Sequence, residues 1–324
     1  MEKSCIISID MGGTKMLAAK VSSKEGIVAR VKKATKVGKE KINYAKALYE
    51  LIEETKIKAE ISDKHIKAIC LGVPGSVNVE LGKIGMAPNL GIKNYFIQKE
   101  LQKFTSIPVL VENDVNLAAL GGKAFGHGIG KKNILSVFVG TGIGAGIILD
   151  GKIYRGSSFL AGEIGHLIVN PKGVICGCGM RGCFETEASR TAIVRKIVKE
   201  IKAGKKSKLS ELVKTKTPIK SKALAAAVRE NDKVTIKYVD EACNTIGAVL
   251  ANCNNLMNFE LIVLGGGVIE ALNFYMVPKI KEAFLKFSLS ESAKAVKILP
   301  TKLGDDAALY GGIVLVEELL GIKI

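Results

Sequence analysis

One pattern occurs twice in this chain and sets the terms for its fold. An apolar run ends in a turn rich in glycine and threonine, a second strand-like run follows, and a hairpin closes the unit, at residues 5–34 and again at 134–155. In the first copy, CIISID (5–10) leads into Gly12 and Gly13, and the stretches 15–21 and 27–34 flank a turn at 24–26. In the second, 134–139 is apolar, 140–146 is a glycine loop, and 147–149 and 152–154 flank an Asp-Gly turn. Short apolar runs bounded by such turns read as antiparallel meanders. The recurrence predicts two related halves that face each other across a cleft.

The rest of the chain alternates. Residues 43–58 carry apolar side chains at helical spacing, Ala47, Leu48, Leu51 and Ile52. The run 66–73 reads as a buried strand ending in Pro74 and Gly75, and 107–111 as a strand that enters Asn113 and Asp114 and then a helix to Phe125. From Glu187 the spacing is mainly helical, over 187–203, 208–214, 220–230 and 232–257. A strand at 260–264, a glycine turn, a helix, a strand at 296–299 and a helix over 307–320 complete it. Strands alternating with helices imply α/β layers. The Lys-rich stretch 202–222 reads as a solvated helix pair.

Hydrophobic residues make up 48% of the 324, enough for a sizeable core. No uninterrupted apolar segment has the length a membrane span needs. The run from Met1 to Asp10 lacks the order of a signal peptide, so a cytoplasmic location is expected. The formal charge of +17 suggests nucleic acid as a partner, but only six of the 48 basic residues are Arg. Arg is the residue that reads phosphate and bases in bidentate fashion. The lysines are dispersed, so no nucleic-acid partner is expected. Of the seven cysteines, Cys176, Cys178 and Cys183 cluster, while Cys5, Cys70, Cys243 and Cys253 sit alone in apolar stretches and read as core thiols.

That cluster, CGCGMRGC, is the most specific motif. Three thiolates with glycine spacers can wrap one tetrahedral ion, and His166, ten positions upstream, is the candidate fourth ligand. A closed Cys₃His site has no open position, which makes a bound zinc structural. His65 and His127 have no such company and read as surface residues. Glu163 and Glu185 flank the element and, once pinned, can grip hydroxyl groups. Isolated glutamates are more often solvated loop charges.

Three glycine turns suit phosphate or a flat ligand. In DMGGTK (10–15), Gly12 and Gly13 let backbone approach phosphate, Thr14 and Lys15 add donors, and Asp10 can hold Mg²⁺ through water. GTGIGAG (140–146) superficially matches a dinucleotide fingerprint, but a strand pattern follows it where that motif must open a helix. Gly265, Gly266 and Gly267 follow a strand. Each alone is also consistent with ordinary turn chemistry. In VEND (111–114), Asp114 suits a general base for an attacking hydroxyl, the role an aspartate plays in kinases. The competing reading is a plain helix N-cap.

In this order, the pieces resemble the ROK family of sugar kinases and repressors, from Asp10 to about Leu320. EIGH (163–166) followed by CGCGMRGCFE (176–185) carries the resemblance most specifically. VPGSV (73–77), PNLG (88–91), END (112–114) and GTGIGAG agree in spacing. The resemblance implies an actin-like, hexokinase (ribonuclease H-like) α/β ATPase fold of two domains with an interdomain cleft. We expect a smaller domain of residues 1–117 plus 308–324 and a larger one of 118–307 carrying the metal element. It implies ATP, Mg²⁺ and a structural Zn²⁺, the last on His166, Cys176, Cys178 and Cys183. Gly75, Asn89, Asn113, Asp114, Glu163, His166 and Glu185 would contact the sugar, with Asp114 the catalytic base. Asp10, Gly12, Gly13, Thr14, Lys15, Thr141, Gly142 and Gly265 to Gly267 would bind ATP.

The implied activity is transfer of the γ-phosphoryl group of ATP to the 6-hydroxyl of glucose or a related hexose, in a homodimer. Family glucokinases often have Trp after PNLG, where this chain has Ile92 and no Trp anywhere. N-acetylmannosamine, fructose, mannose and allose therefore stay open as substrates. Family repressors carry a helix-turn-helix ahead of the first phosphate motif. Only nine residues precede Asp10 here, which favours kinase over a non-catalytic sugar-sensing regulator.

Overall fold

The strand CIISIDM is apolar on both faces, as a central strand must be when helices cover the sheet on each side. In the computed structural model, which describes residues 4–35 and 43–324, it forms β1 (Cys5–Met11). The first three positions of the run that begins at Met1 lie outside the described residues. β2 (Lys15–Ser22) and β3 (Gly26–Ala34) complete the first meander, and α1 (Tyr44–Ala59) follows. β4 (Ile66–Val73) leads to three short strands, β5 (Ser76–Asn78), β6 (Lys83–Ala87) and β7 (Ile92–Tyr95), which form a small sheet of their own. Then come α2 (Ile97–Leu101), β8 (Val109–Asn113) and α3 (Asp114–Phe125).

The second pass starts with β9 (Ile134–Val139), β10 (Ile143–Leu149) and β11 (Lys152–Ile153). Helices α4 (Phe184–Ala188), α5 (Arg190–Lys202), α6 (Ser210–Lys214), α7 (Ser221–Arg229) and α8 (Lys233–Met257) follow. β12 (Leu261–Gly265), α9 (Gly267–Phe287), α10 (Ser290–Ala295), β13 (Lys297–Pro300) and α11 (Ala307–Leu320) close the chain.

The repeat read from the sequence is present in the topology. One large sheet has the order β3-β2-β1-β4-β8 and the other β11-β10-β9-β12-β13. Both are built third, second, first, fourth, fifth. β1, β4 and β8 run parallel, as do β9, β12 and β13. β3 alternates half-buried and exposed residues and ends the first sheet with charged side chains, which discourages further pairing at that edge.

Contacts divide the chain into two compact units. One comprises Met1–Gly130, Gly146–Ala161 and Asp305–Ile324, the other Lys131–Ala145 and Gly162–Gly304. The boundary expected at 117/118 lies inside α3, which belongs whole to the first unit. In that unit α3 and α11 cross at backbone distance. A Cβ on Gly121 would lie 2.0 Å from the Ala307 carbonyl oxygen, and one on Gly311 would lie 1.9 Å from that of Leu117. Only glycine allows helices to approach so closely.

Three local readings change. The glycine loop expected over 140–146 is shorter, because Ile143 and Ala145 are buried and the strand starts at Ile143. The helix expected over 187–203 is two, since Ser189 is extended and caps α5 through a bond from Ala192 N. The stretch 202–222 contains the last residue of α5, the five-residue α6 and only the first two residues of α7, which buries Leu224, Ala225, Ala227 and Val228. His65 and His127 are half-buried rather than exposed, and Cys253 is less buried than the other three lone cysteines.

Candidate active site

The C-terminal edge of the first sheet gathers three of the predicted motifs. Strand register places Asp10 beside Gly72, and Gly72 beside Glu112, so the ends of β1, β4 and β8 lie in one row. In parallel α/β sheets this edge is where ligands bind. The DMGGTK turn leaves the row from β1. Its shape is held by Gly12 N donating to Lys15 O at 2.9 Å and by the Thr35 hydroxyl donating to Gly12 O at 2.7 Å. Asn89 lies against it, with its Cβ 3.2 Å from where a Cβ on Gly13 would sit. Two residues assigned to different ligands thus meet at one spot. The Lys15 ammonium pairs with Asp305 at 3.1 Å, a partner the sequence did not suggest because it lies 290 positions away.

Asp10 is partly buried at this edge. Burial raises its pKa to about 6, with Lys15 opposing the shift and Asp305 adding to it. Between the ordinary value and about 6 the native state holds this proton more tightly than the unfolded chain. The contribution of Asp10 to stability therefore worsens as pH rises through that window. Asp10→Asn is expected to stabilise the protein by about 1–2 kcal/mol near pH 7 and by almost nothing near pH 4. Urea unfolding at the two pH values reads this directly, and equal effects at both would refute it.

β8 ends on Asn113, which caps α3. Its Oδ1 accepts from Val115 N at 2.9 Å and Asn116 N at 3.1 Å, and its Nδ2 donates to Gly75 O at 2.9 Å. The capping role that competed for Asp114 thus belongs mainly to Asn113. Asp114 is the first helical residue, with one carboxylate oxygen also accepting from Val115 N at 2.9 Å.

In the second unit the two remaining glycine turns are neighbours. Gly265 pairs in register with Phe138, and Gly266 has φ +86, where a Cβ would lie 2.6 Å from Val139 O. The turn after β9 is closed by Gly140 N donating to Gly142 O at 2.9 Å. Arg190, which the sequence reading passed over, braces it. Its Nη2 donates to Thr141 Oγ1 at 2.6 Å, and its backbone N to Gly140 O at 2.9 Å. Gly267 opens α9 with no side-chain cap, leaving helix N–H groups for an anion.

The Cys/His element lies beside this turn. A Cβ on Gly142 would be 2.6 Å from Glu185 Oε2. The ligand atoms of His166, Cys176, Cys178 and Cys183 all lie within 4.8 Å of one another. Cys178 Sγ is 3.6 Å from Cys183 Sγ, and Cys176 Sγ is 3.7 Å from His166 Nδ1. A tetrahedron with zinc–sulfur bonds of about 2.3 Å has edges of about 3.8 Å, so these residues fit a zinc ion. Bridges between Ile168 and Cys183 and between Ile175 and Arg181 hold the loop.

Both glutamates touch this element. Glu185 Oε1 accepts from the Cys176 thiol at 3.0 Å and lies 4.0 Å from His166 Nδ1. Glu163 Oε2 is 3.8 Å from His166 Nε2. The two ring nitrogens therefore face different neighbours, sulfur and carboxylate on one side and Glu163 on the other. Burial raises the pKa of Glu163, with His166 lowering it and Glu185 raising it. Among the described residues no helix is long and apolar enough to cross a membrane.

A model of the ROK family matches residues 6–319. A glucokinase from Halalkalibacterium halodurans is 36% identical over 79% of this chain and 78% of its own. A xylose repressor from Caldicellulosiruptor bescii is 32% identical over 87% of this chain and 70% of the repressor. Among solved structures, a ROK family glucokinase from Streptomyces griseus, in complex with glucose and AMPPNP, has a TM-score of 0.82. It is 29% identical, with 97% of this chain and 100% of that one covered.

Proposed function

The chain belongs to the ROK family, and on that premise we propose that it is an ATP-dependent hexose kinase of glucokinase type. The observation that carries the reading is the row Asp10–Gly72–Glu112, which sets a phosphate turn and the Asn113-Asp114 junction at one sheet edge. A repressor has no need of a hydroxyl-facing carboxylate beside a phosphate turn. The relative from Streptomyces griseus binds glucose and an ATP analogue, which supports the same pair of ligands here.

In this reading Gly12, Gly13, Thr14 and Lys15 bind phosphate oxygens, Lys15 exchanging Asp305 for the nucleotide. Thr141 and Gly142 form the second phosphate turn, and Gly265, Gly266 and Gly267 receive adenosine. Gly75, Asn89, Asn113, Glu163, His166 and Glu185 hold the sugar hydroxyls. Asp114 accepts the proton of the 6-hydroxyl as its oxygen bonds to the γ-phosphorus. The bond to the β–γ bridging oxygen breaks and ADP leaves. Asp10 would hold Mg²⁺ through water, and the ion would supply neutralisation of phosphate charge.

His166, Cys176, Cys178 and Cys183 would hold a zinc ion, which would be structural and would steady the two glutamates beside it. His166 Nε2 stays available to the sugar. Clustered thiols of this kind need a reducing compartment, which fits a cytoplasmic enzyme. A homodimer is part of the reading by family resemblance.

An ADP-release screen across about a dozen sugars, with ATP and polyphosphate as alternative donors, tests this. Glucose with ATP is expected to give the highest kcat/KM. Sugar binding without phosphoryl transfer from either donor would instead establish a sensing protein.

A further inference from the structure

Asp114 is two residues past a buried ion pair that neither motif nor spacing announces. Glu112 is 1% exposed, and its Oε2 accepts from Arg155 Nε at 2.7 Å. Its other oxygen accepts from the backbone N of Asn113 at 2.8 Å and from Asn116 Nδ2 at 3.0 Å. One carboxylate therefore holds the chain on both sides of Asp114. Arg155, 14% exposed and just beyond β11, donates through Nη1 to Glu318 of α11 at 2.7 Å. Its orientation is thus set from a second element. On the opposite side, a Cβ on Gly72 would lie 3.5 Å from the Asp114 Cα.

We propose that the Glu112–Arg155 pair is a positioning device for phosphoryl transfer. It fixes the β8–α3 junction so that the Asp114 carboxylate stands where the attacking hydroxyl needs it. The inference rests on the reading of Asp114 as the base. The physical argument is one of cost and geometry. A carboxylate this buried is strongly unfavourable without its partner, so Arg155 makes the Glu112 conformation single-valued. A shift of an angstrom at a reacting group costs about a hundredfold in rate. A pair serving only stability has no reason to bond to the residues on either side of the base.

Four variants separate the two roles, assayed beside Asp114→Asn with the best sugar from the screen. Arg155→Met strands the Glu112 charge, and kcat is expected to fall about 30–100-fold while hexose KM moves less than about threefold. Arg155→Lys keeps one donor and recovers about a tenth or more of the lost rate. Glu112→Gln removes the charge and must set its NH2 group against either the guanidinium or the Asn113 and Asn116 donors, and is expected to resemble Arg155→Met. The double variant Glu112→Gln with Arg155→Met no longer buries a charge, so its melting temperature returns to within a few degrees of the wild type. Its kcat is expected to stay low.

A kcat that recovers together with the melting temperature, or one within about threefold of wild type in any folded variant lacking the pair, would overturn the proposal. If Arg155→Met does not fold, the double variant decides alone. Wild-type protein without kinase activity, or Asp114→Asn with near-normal turnover, would instead overturn the reading of Asp114. The two failures are therefore distinguishable.

Discussion

Asp114→Asn is expected to lower turnover about a thousandfold and to leave hexose affinity within about threefold. The substitution is nearly isosteric. Asn can still accept from Val115 N, and the Asn113 cap of α3 does not depend on residue 114. The fold and the neighbouring Gly75 contact of Asn113 should survive. What disappears is an anion able to take a proton, and general-base catalysis contributes about 10²–10⁴-fold, or roughly 3–5 kcal/mol of barrier. The remaining rate comes from positioning and charge neutralisation, which dominate phosphoryl transfer. Equilibrium binding of the sugar alongside steady-state ADP release measures both quantities. Turnover above about a tenth of wild type would remove Asp114 from its role.

Loss of the proposed zinc is expected to have the second large effect. Cys178 is the exposed sulfur of the cluster, whereas Cys176 and Cys183 are buried. Cys178→Ser therefore takes away a ligand with little loss of packing. Zinc content is expected to fall from about one ion per chain to below about a tenth. Hexose affinity should weaken by about a hundredfold, because Glu185 and His166 lose their fixed setting. Nucleotide affinity should change less. Chelator-treated wild type should behave alike and recover when zinc is returned. Cys253, far from the cluster in sequence and in the long helix α8, serves as a control when changed to Ser. A fully active, metal-free protein would defeat the Cys₃His assignment.

The Cys/His element was legible because it is local. Residues 166 to 183 lie within one loop, so spacing carries nearly all the geometry. The double meander was legible for the same reason. The small sheet of β5, β6 and β7 was not, because strands of three to five residues interrupted by Gly82, Gly85 and Pro88 show no sustained alternation. The start of β10 was hidden by its glycines, which read as loop although Ile143 and Ala145 are buried. Glu112 with Arg155, and Lys15 with Asp305, join positions 43 and 290 residues apart. No periodicity encodes such pairs. They become visible only when the sheet edge and α11 are in place.

The crossing of α3 with α11 has a consequence for how this protein comes into being. The helix that carries Asp114 leans, backbone against backbone, on a helix that the ribosome makes only after the whole of the second unit. Nascent chains that have already made the second unit still lack the support for α3. A chain arrested before residue 307 has the strands of both large sheets but leaves Gly121 without the backbone it packs on.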